Sequence, residues 1–401
     1  MVRRSSPRND WAANAGLPSS PARQTSMTRI NRVLDVEPCP SLADYCLAGG
    51  GNALEIVRLV EPEVTIEAIL RSGLRGRGGA GFPTGTKWAS VLANSSPMNP
   101  TPVVVNGAEG EPSTFKDRSI LRSNPYRVLE GALIACHVFH SQELVVCLKK
   151  SFDREIQRVT DALAEMRLAG WLNGIEPRIV AGPGHYLFGE ETALLEVVEG
   201  RQPFPRVTPP WRRGINDDDS GAAPGELANQ QEGTGAPALV NNVETFANVA
   251  LIARNGPEWF RQCGTKESPG TIVCTVSGDV ISSGVGEFAM GTPLSEVIEA
   301  LGDGPLPERR IVAVLPGASG GDRHRNGPRR PRDVRRLSEH RERVGIGRVP
   351  VPRRPPRPAR PGVRCRPISV HRILWPVHGV QRRRVGRRSP AARLSRWFGR
   401  R

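Results

Sequence analysis

Ser72 to Trp88 reads SGLRGRGGAGFPTGTKW. Five glycines, Gly76, Gly78, Gly79, Gly81 and Gly85, fall within ten positions of it. Glycine has no Cβ and adopts positive φ without steric cost. A run this dense lets backbone N–H groups converge on an anion or lie flat against a ring. Arg77 and Lys87 add cations suited to a phosphate. Phe82 and Trp88 add aromatic faces for a planar ligand. A flexible linker is the bland alternative, and the proline, the aromatics and the spaced cations argue against it.

Gly76 to Gly81 satisfies G-x-G-x-x-G, which marks a dinucleotide site only between a strand and a helix. Val64 to Leu74, before it, has helical spacing instead. Pro83-Thr84-Gly85, after it, reads as a helix breaker. The G-K-[ST] ending of a P-loop is also absent. The expectation is a phosphate loop of neither common kind.

Downstream of the loop, strands and helices alternate. PVVVN (residues 102–106) and ELVVCL (143–148) are short apolar runs that read as buried strands, with a third at 178–181. Asn124-Pro125 is a cap followed by proline at the first helical position, opening a helix to about Val138. Further helices are expected at 152–168, 190–199 and 241–254, with Asn241 and Glu244 at capping-box spacing. This order predicts an α/β domain with a Rossmann-like parallel sheet, helices on both faces and ligands at the strands' carboxyl ends. Residues 203–238 read as a long loop. From Gly270 a ββαβ pattern follows: strands at 271–277, 284–290 and 310–315 around a helix at 292–301.

Several of these stretches carry a family resemblance. GRGGAGFPTGTKW, NGAEGEPSTFKDR (106–118), GEETALLEVVEG (189–200) and NNVETFANV (241–249) resemble the NADH- and FMN-binding subunit of respiratory complex I. That family includes the diaphorase subunits of NAD-linked hydrogenases and formate dehydrogenases. The likeness runs from about Cys39 to Gly321. It implies an FMN/NADH-binding domain over 39–256 and a small ubiquitin-like (SLBB-type) module over 268–321. It also implies transfer of hydride from NADH to bound FMN, with electrons then passing to iron–sulfur clusters. Implied partners are a thioredoxin-like 2Fe–2S subunit and other cluster-bearing subunits.

The resemblance also implies a site. Gly76, Arg77, Gly78, Gly79 and Lys87 would belong to the flavin loop, and Phe82 would stack on the NADH adenine. Asn106 would contact FMN, Glu109 would lie beside the isoalloxazine, and Glu111 would face the nicotinamide. On chemistry alone, Glu109 and Glu111 read equally as hydrogen-bond acceptors for a ligand or as a solvated acidic turn. Tyr186, Gly189, Glu190 and Glu191 would line the cleft, although acidic residues in a first helical turn also serve the helix dipole. Asn241, Asn242 and Thr245 would lie near the flavin phosphate and ribitol, where a helix N-terminus suits an anion. Trp211 would keep an aromatic surface for the nucleotide. No side chain is expected to act as a general acid or base, because the cofactor carries the chemistry. Two departures stand out. Ala108 replaces the usual Asp, and Thr208 replaces the usual Lys before Pro209-Pro210, which implies weaker NADH binding.

Charge divides the 401-residue chain. Its net charge is +16, yet from Arg323 onward there are 26 arginines, three acidic residues and no lysine, a net of +23 that leaves −7 for the first 322 residues. Such an Arg/Pro-rich run lacks the apolar surface to offset ordering entropy, so 322–401 is expected to be disordered. The family continues at this place with a 4Fe–4S domain bearing C-x-x-C-x-x-C, but here only Cys365 follows Cys274. Arginine and proline without lysine is what GC-rich DNA yields in a wrong reading frame, and the tail is read that way. Residues 1–38, rich in Ser, Pro, Arg and Asn, are read as disordered or as an over-extended start. The seven cysteines include no C-x-x-C pair and imply no metal site or disulfide framework. No apolar run is long enough to span a membrane and no signal peptide is visible, so the expected setting is cytoplasmic, peripheral on a membrane only through a complex. Two other readings stand beside the flavoprotein: a nucleic-acid or acidic-surface binder acting through the arginine tail, and a relic that holds no cofactor.

Overall fold

The computed structural model describes residues 30–96, 100–212, 214–215, 236–309, 311, 314–316 and 368–371. Four helices precede the first strand: α1 (Leu42–Leu47), α2 (Asn52–Arg58), α3 (Pro62–Ser72) and α4 (Thr84–Leu92). Then come β1 (Val103–Gly107), α5 (Lys116–Ser123), α6 (Pro125–Val138), β2 (Glu143–Lys149), α7 (Asp153–Leu168) and β3 (Glu176–Gly182). A 3₁₀ turn over Tyr186–Gly189 leads to α8 (Glu191–Val198), β4 (Leu239–Asn242), α9 (Val243–Asn255) and α10 (Pro257–Arg261).

β1 to β4 form one parallel sheet in the order β3-β2-β1-β4. Successive strand residues point to opposite faces. Val103 and Val105 accordingly join the large core beneath α6 and α9, while Val104, Val145 and Cys147 join a smaller core beneath α8. Both faces are covered, which is why these strands read as unbroken apolar runs. α6 starts as its sequence dictates: Asn124 accepts from Arg127 N at 3.1 Å and Pro125 takes the first helical position.

A second sheet follows. β5 (Thr271–Ser277) pairs antiparallel with β6 (Gly284–Ala289), and α11 (Leu294–Gly302) packs over them through Val297, Ile298 and Leu301. β7 (Val314–Pro316) and β8 (Ile368–His371) complete the order β6-β5-β8-β7.

Four expectations need correction. A helix does follow the glycine loop: Pro83 is the N-cap of α4, where a missing N–H costs nothing, and Gly85 lies inside the first turn. Asn241 and Asn242, read as the opening of a helix, end a fourth parallel strand over Leu239–Asn242, and the cap of α9 is Asn242, not Asn241. The N-terminal 38 residues are not uniformly without structure. Ile30 to Pro38 are in place, with Arg32, Val33 and Leu34 donating their N–H groups to Glu287 Oε2 at 2.8–2.9 Å. Within the arginine-rich tail, Ile368–His371 alternates apolar and polar residues and pairs with β5 and β7. The third strand expected at 310–315 is described at 314–316, where it pairs parallel with β8; residues 310, 312 and 313 lie outside the described residues. Residues 1–29, 216–235, 317–367 and 372–401, on which the remaining readings of the loop, the tail and the N-terminus fall, lie outside the described residues.

Candidate functional site

In the sheet order, β2 and β3 lie on one side of β1 and β4 lies on the other. The winding of the sheet therefore switches sides between β1 and β4, which run parallel. A crevice opens outside the carboxyl ends of strands at such a switch point. Asn106 of β1 and Asn242 of β4 are register partners at this edge.

The glycine loop is seated on the same edge. Arg75 and Pro83 form an antiparallel bridge, and Gly76 N donates to Phe82 O at 2.8 Å, closing the loop at its base. Arg77 N donates to Thr245 Oγ1 in the first turn of α9 at 2.8 Å. A Cβ on Gly78 would lie 3.1 Å from Asn242 Cβ, so the loop backbone rests on that residue as only a bare Cα allows. Gly81 turns with φ +64°. The N–H groups of Gly78, Gly79 and Ala80 reach no acceptor among the described residues. Consecutive backbone donors in a turn beside the N-terminus of α9 are what a phosphate takes, so the residues present fit the mononucleotide expected here.

The side chains are less idle than their sequence suggested. Lys87 Nζ donates to Glu191 Oε1 at 2.5 Å and to Val240 O at 2.7 Å, tying α4 to α8 and β4. Glu190 caps α8, its carboxylate accepting from Thr192 N (2.9 Å) and Ala193 N (2.8 Å). Asn106 Nδ2 donates to Gly189 O at 2.9 Å, drawing the 3₁₀ turn onto β1. Asn241 accepts from Trp88 Nε1 at 2.8 Å and donates to Val240 O at 3.0 Å. Tyr186 Oη donates to Glu111 Oε1 at 2.7 Å on the surface. Phe82 is half exposed and Trp211 half buried.

Glu109 points inward. It accepts from Asp117 N at 3.1 Å and from Arg118 Nε at 3.0 Å. Burial, and then the charge of Asp117, hold its carboxyl above the ordinary value. Arg77 changes most from its expected part. Its guanidinium is 3% exposed and reaches carbonyls at the start of β5, so only its backbone belongs to the loop.

Sequence reasoning missed the charges beneath the crevice. Lys116 is fully buried; it contacts the Asp117 carboxylate and lies 3.0 Å from both Asn242 Oδ1 and Glu244 Oε2. Asn242 Nδ2 donates to Asp117 Oδ2 at 2.8 Å. These contacts lock Asn242, and through it the seat of Gly78. The signal was present in FKDR, where adjacent opposite charges open a helix, but spacing alone does not separate a buried pair from a solvated one.

Residues 69–251 match the family profile described as the Nuo51 FMN-binding domain. The chain belongs to the family made up of the F subunits of NADH-quinone oxidoreductases and their hydrogenase counterparts. It is 36% identical over 295 residues to the F 2 subunit of NADH-quinone oxidoreductase of Rhizobium meliloti, covering 71% of this chain and 66% of the relative. Against the F subunit of NADH-quinone oxidoreductase of Aquifex aeolicus it is 36% identical over 304 residues, covering 73% and 66%. Against the alpha subunit of the NAD-reducing hydrogenase HoxS of Cupriavidus necator it is 37% identical over 271 residues, covering 65% and 40%. A crystal structure of NAD+-reducing [NiFe]-hydrogenase in the H2-reduced state superposes with a TM-score of 0.57 at 32% identity, over 69% of this chain and 44% of that one. The chain thus spans just under two thirds of the length of these oxidoreductase relatives and less of the hydrogenase chains. The family's fold accounts for the mixed α/β architecture and its parallel sheet. Among the described residues no helix is long and apolar enough to cross a membrane.

Proposed function

We propose that this chain is an FMN-dependent NADH-oxidising subunit. The observation that carries the reading is the seating of a glycine loop, with three N–H donors that reach no acceptor among the described residues, on the switch point of a parallel sheet, inside the stretch that matches an FMN-binding family. When bound, FMN supplies the ring that accepts hydride from the nicotinamide. The protein's part is to hold and to screen. The N–H groups of Gly78 and Gly79 and the start of α9 at Asn242 and Thr245 receive the flavin phosphate. Asn106, fixed by Gly189, presents its strand end to the flavin. Phe82 and Trp211 offer their rings to the dinucleotide, and Tyr186 with Glu111 closes the nicotinamide side. Glu190 and Glu191 oppose an added phosphate and so favour NADH over NADPH.

The same reading takes β5, β6, α11 and β7 as a ubiquitin-like module and the arginine-rich tail as an out-of-frame product. Its partners would be a thioredoxin-like 2Fe–2S subunit and cluster-bearing subunits of a peripheral cytoplasmic complex. The residues present do not fit the family's 4Fe–4S cluster, because the sequence holds no C-x-x-C pair and no cysteine but Cys365 after Cys274.

The test is the absorbance of the purified chain mixed with FMN and passed through a desalting column. A retained yellow colour that NADH bleaches without oxygen is expected. A colourless protein overturns the reading, and one that also shifts DNA at low salt favours the basic-tail alternative.

A further inference from the structure

Arg77 bridges two parts of the molecule that are far apart in sequence. Its backbone N–H holds Thr245, and so the glycine loop to α9, at 2.8 Å. Its side chain leaves in another direction. Nε donates to Thr271 O at 3.2 Å and Nη2 to Pro269 O at 3.4 Å, while Nη1 turns back to Arg75 O at 3.3 Å. Glu244 Oε1 lies 3.9 Å from Nε and accepts from Val273 N at 2.9 Å. The chain entering β5 is thus hooked at residues 269, 271 and 273 by side chains from the glycine loop and α9. The grip continues beyond β5. The Thr271 hydroxyl donates to the Glu287 carboxylate, whose other oxygen takes the three N–H groups of Arg32, Val33 and Leu34. The Arg77, Glu244 and Glu287 side chains are all at most 3% exposed.

A buried guanidinium is tolerated only while its donors stay satisfied. Its planar fork also fixes the distance between the groups it joins. The glycine loop and the start of β5 cannot shift independently without stranding Arg77. We propose that Arg77 is a positioning residue that couples ligand occupancy of the glycine loop to the order of β5 and of the N-terminal segment 32–34. A ligand that fixes the loop tightens the second sheet, and loosening the second sheet weakens the ligand, because such coupling is reciprocal. The ligand, FMN, rests on the function proposed above; the mechanical link does not.

Hydrogen exchange of the full chain, with and without FMN, tests this. In the ligand-free protein, Arg77→Met is expected to speed exchange in three separate segments: 76–82, 269–277 and 32–34. FMN is expected to slow exchange at 269–277 in the wild type and not in Arg77→Met, whose FMN Kd rises about 5- to 100-fold. Arg77→Lys keeps the charge opposite Glu244 but loses the fork, and it should fall between the two. Glu287→Gln, outside the loop but joined to Arg77 through Thr271 and through its charge, is expected to raise the FMN Kd about fivefold through the same linkage. Faster exchange confined to 76–82 in Arg77→Met, or an unchanged FMN Kd in Glu287→Gln, overturns the coupling. If the wild type takes up no FMN, the flavin reading fails, and the ligand-free exchange pattern still decides the coupling. Should Arg77→Met not fold, Arg77→Lys and Glu287→Gln carry the same comparison.

Discussion

Lys87 and Glu191 form an ion pair of 2.5 Å that joins the helix after the glycine loop to the first residue of α8. Lys87 is 9% exposed and also donates to Val240 O, so one ammonium stitches together three elements around the crevice. The two partners are unequal, because the Glu191 side chain is 40% exposed. Lys87→Met strands a buried carbonyl and a carboxylate, and should cost about 2–4 kcal/mol in urea unfolding while abolishing FMN retention. Glu191→Gln, at a solvated end, should cost under about 1 kcal/mol. Equal losses for the two variants would show that the pair, not the buried ammonium, matters.

The hydroxyl of Tyr186 meets Glu111 on the surface. Tyr186→Phe is expected to leave the unfolding midpoint within about 0.5 kcal/mol, since exposed pairs contribute little. It should raise KM for NADH several-fold without loss of flavin absorbance. Steady-state kinetics beside a denaturation curve checks both. A change in flavin content would place Tyr186 on the other ligand.

Much of this architecture could be read from the letters, and the failures have physical causes. β1 and β2 announced themselves because both of their faces are covered, and α6 because Asn124 and Pro125 are a cap and a first residue that few other structures want. β4 escaped notice because only Leu239 and Val240 precede two asparagines, and its pairing with β1 is supplied by distant sequence. α4 was hidden by Pro83 and Gly85. The proline sits where helices lack partners anyway, and a Cβ at Gly85 would lie 2.7 Å from the backbone N of Leu70, so α3 demands the glycine. At the site, the backbone of the glycine loop could be foreseen because glycine spacing speaks about backbone. The direction of Arg77, the inward turn of Glu109 and the burial of Lys116 depend on what packs over them, and no local pattern carries that.

The family resemblance implies a lysine at the position of Thr208. Thr208→Lys should lower KM for NADH several-fold, with the change shrinking as salt is raised, because the added attraction is electrostatic. A KM that does not respond to either would remove this position from the nucleotide's path.

Glu130, in α6, accepts from the Tyr45 hydroxyl and from Leu54 N at 3.1 Å. Burial pushes its carboxyl above the ordinary 4.5, against the hydrogen bonds that favour the charge. The folded protein therefore holds this proton more tightly than the unfolded chain does. Its stabilising contribution is complete below about pH 4.5 and is lost as pH rises through the higher folded value. Glu130→Gln lacks this slope. Between pH 4 and pH 7 the wild type should lose stability relative to Glu130→Gln, as read from urea midpoints across that range. A constant difference would mean that Glu130 titrates alike in both states.

Gly131 is the point where α6 and α9 touch, and a Cβ there would stand 2.0 Å from Phe246 O. Backbone cannot yield as a side chain can. Gly131→Ala should therefore cost about 3 kcal/mol or more, or leave no soluble protein, although alanine is the better helix former. A thermal melt within a few degrees of the wild type would contradict the close approach.

The sheet order carries a consequence for how the molecule is made. β1 leaves the ribosome early, yet its neighbour β4 is synthesised only after β2, β3 and α8. Pairing across so long a stretch of chain is slow, since the loop must close before the contact repays it. Half of the crevice therefore waits, with one edge of β1 bare, until translation has passed Asn242. Any flavin must be captured after that moment, and a nascent chain halted earlier offers its unpaired strand edge to chaperones and to its own neighbours.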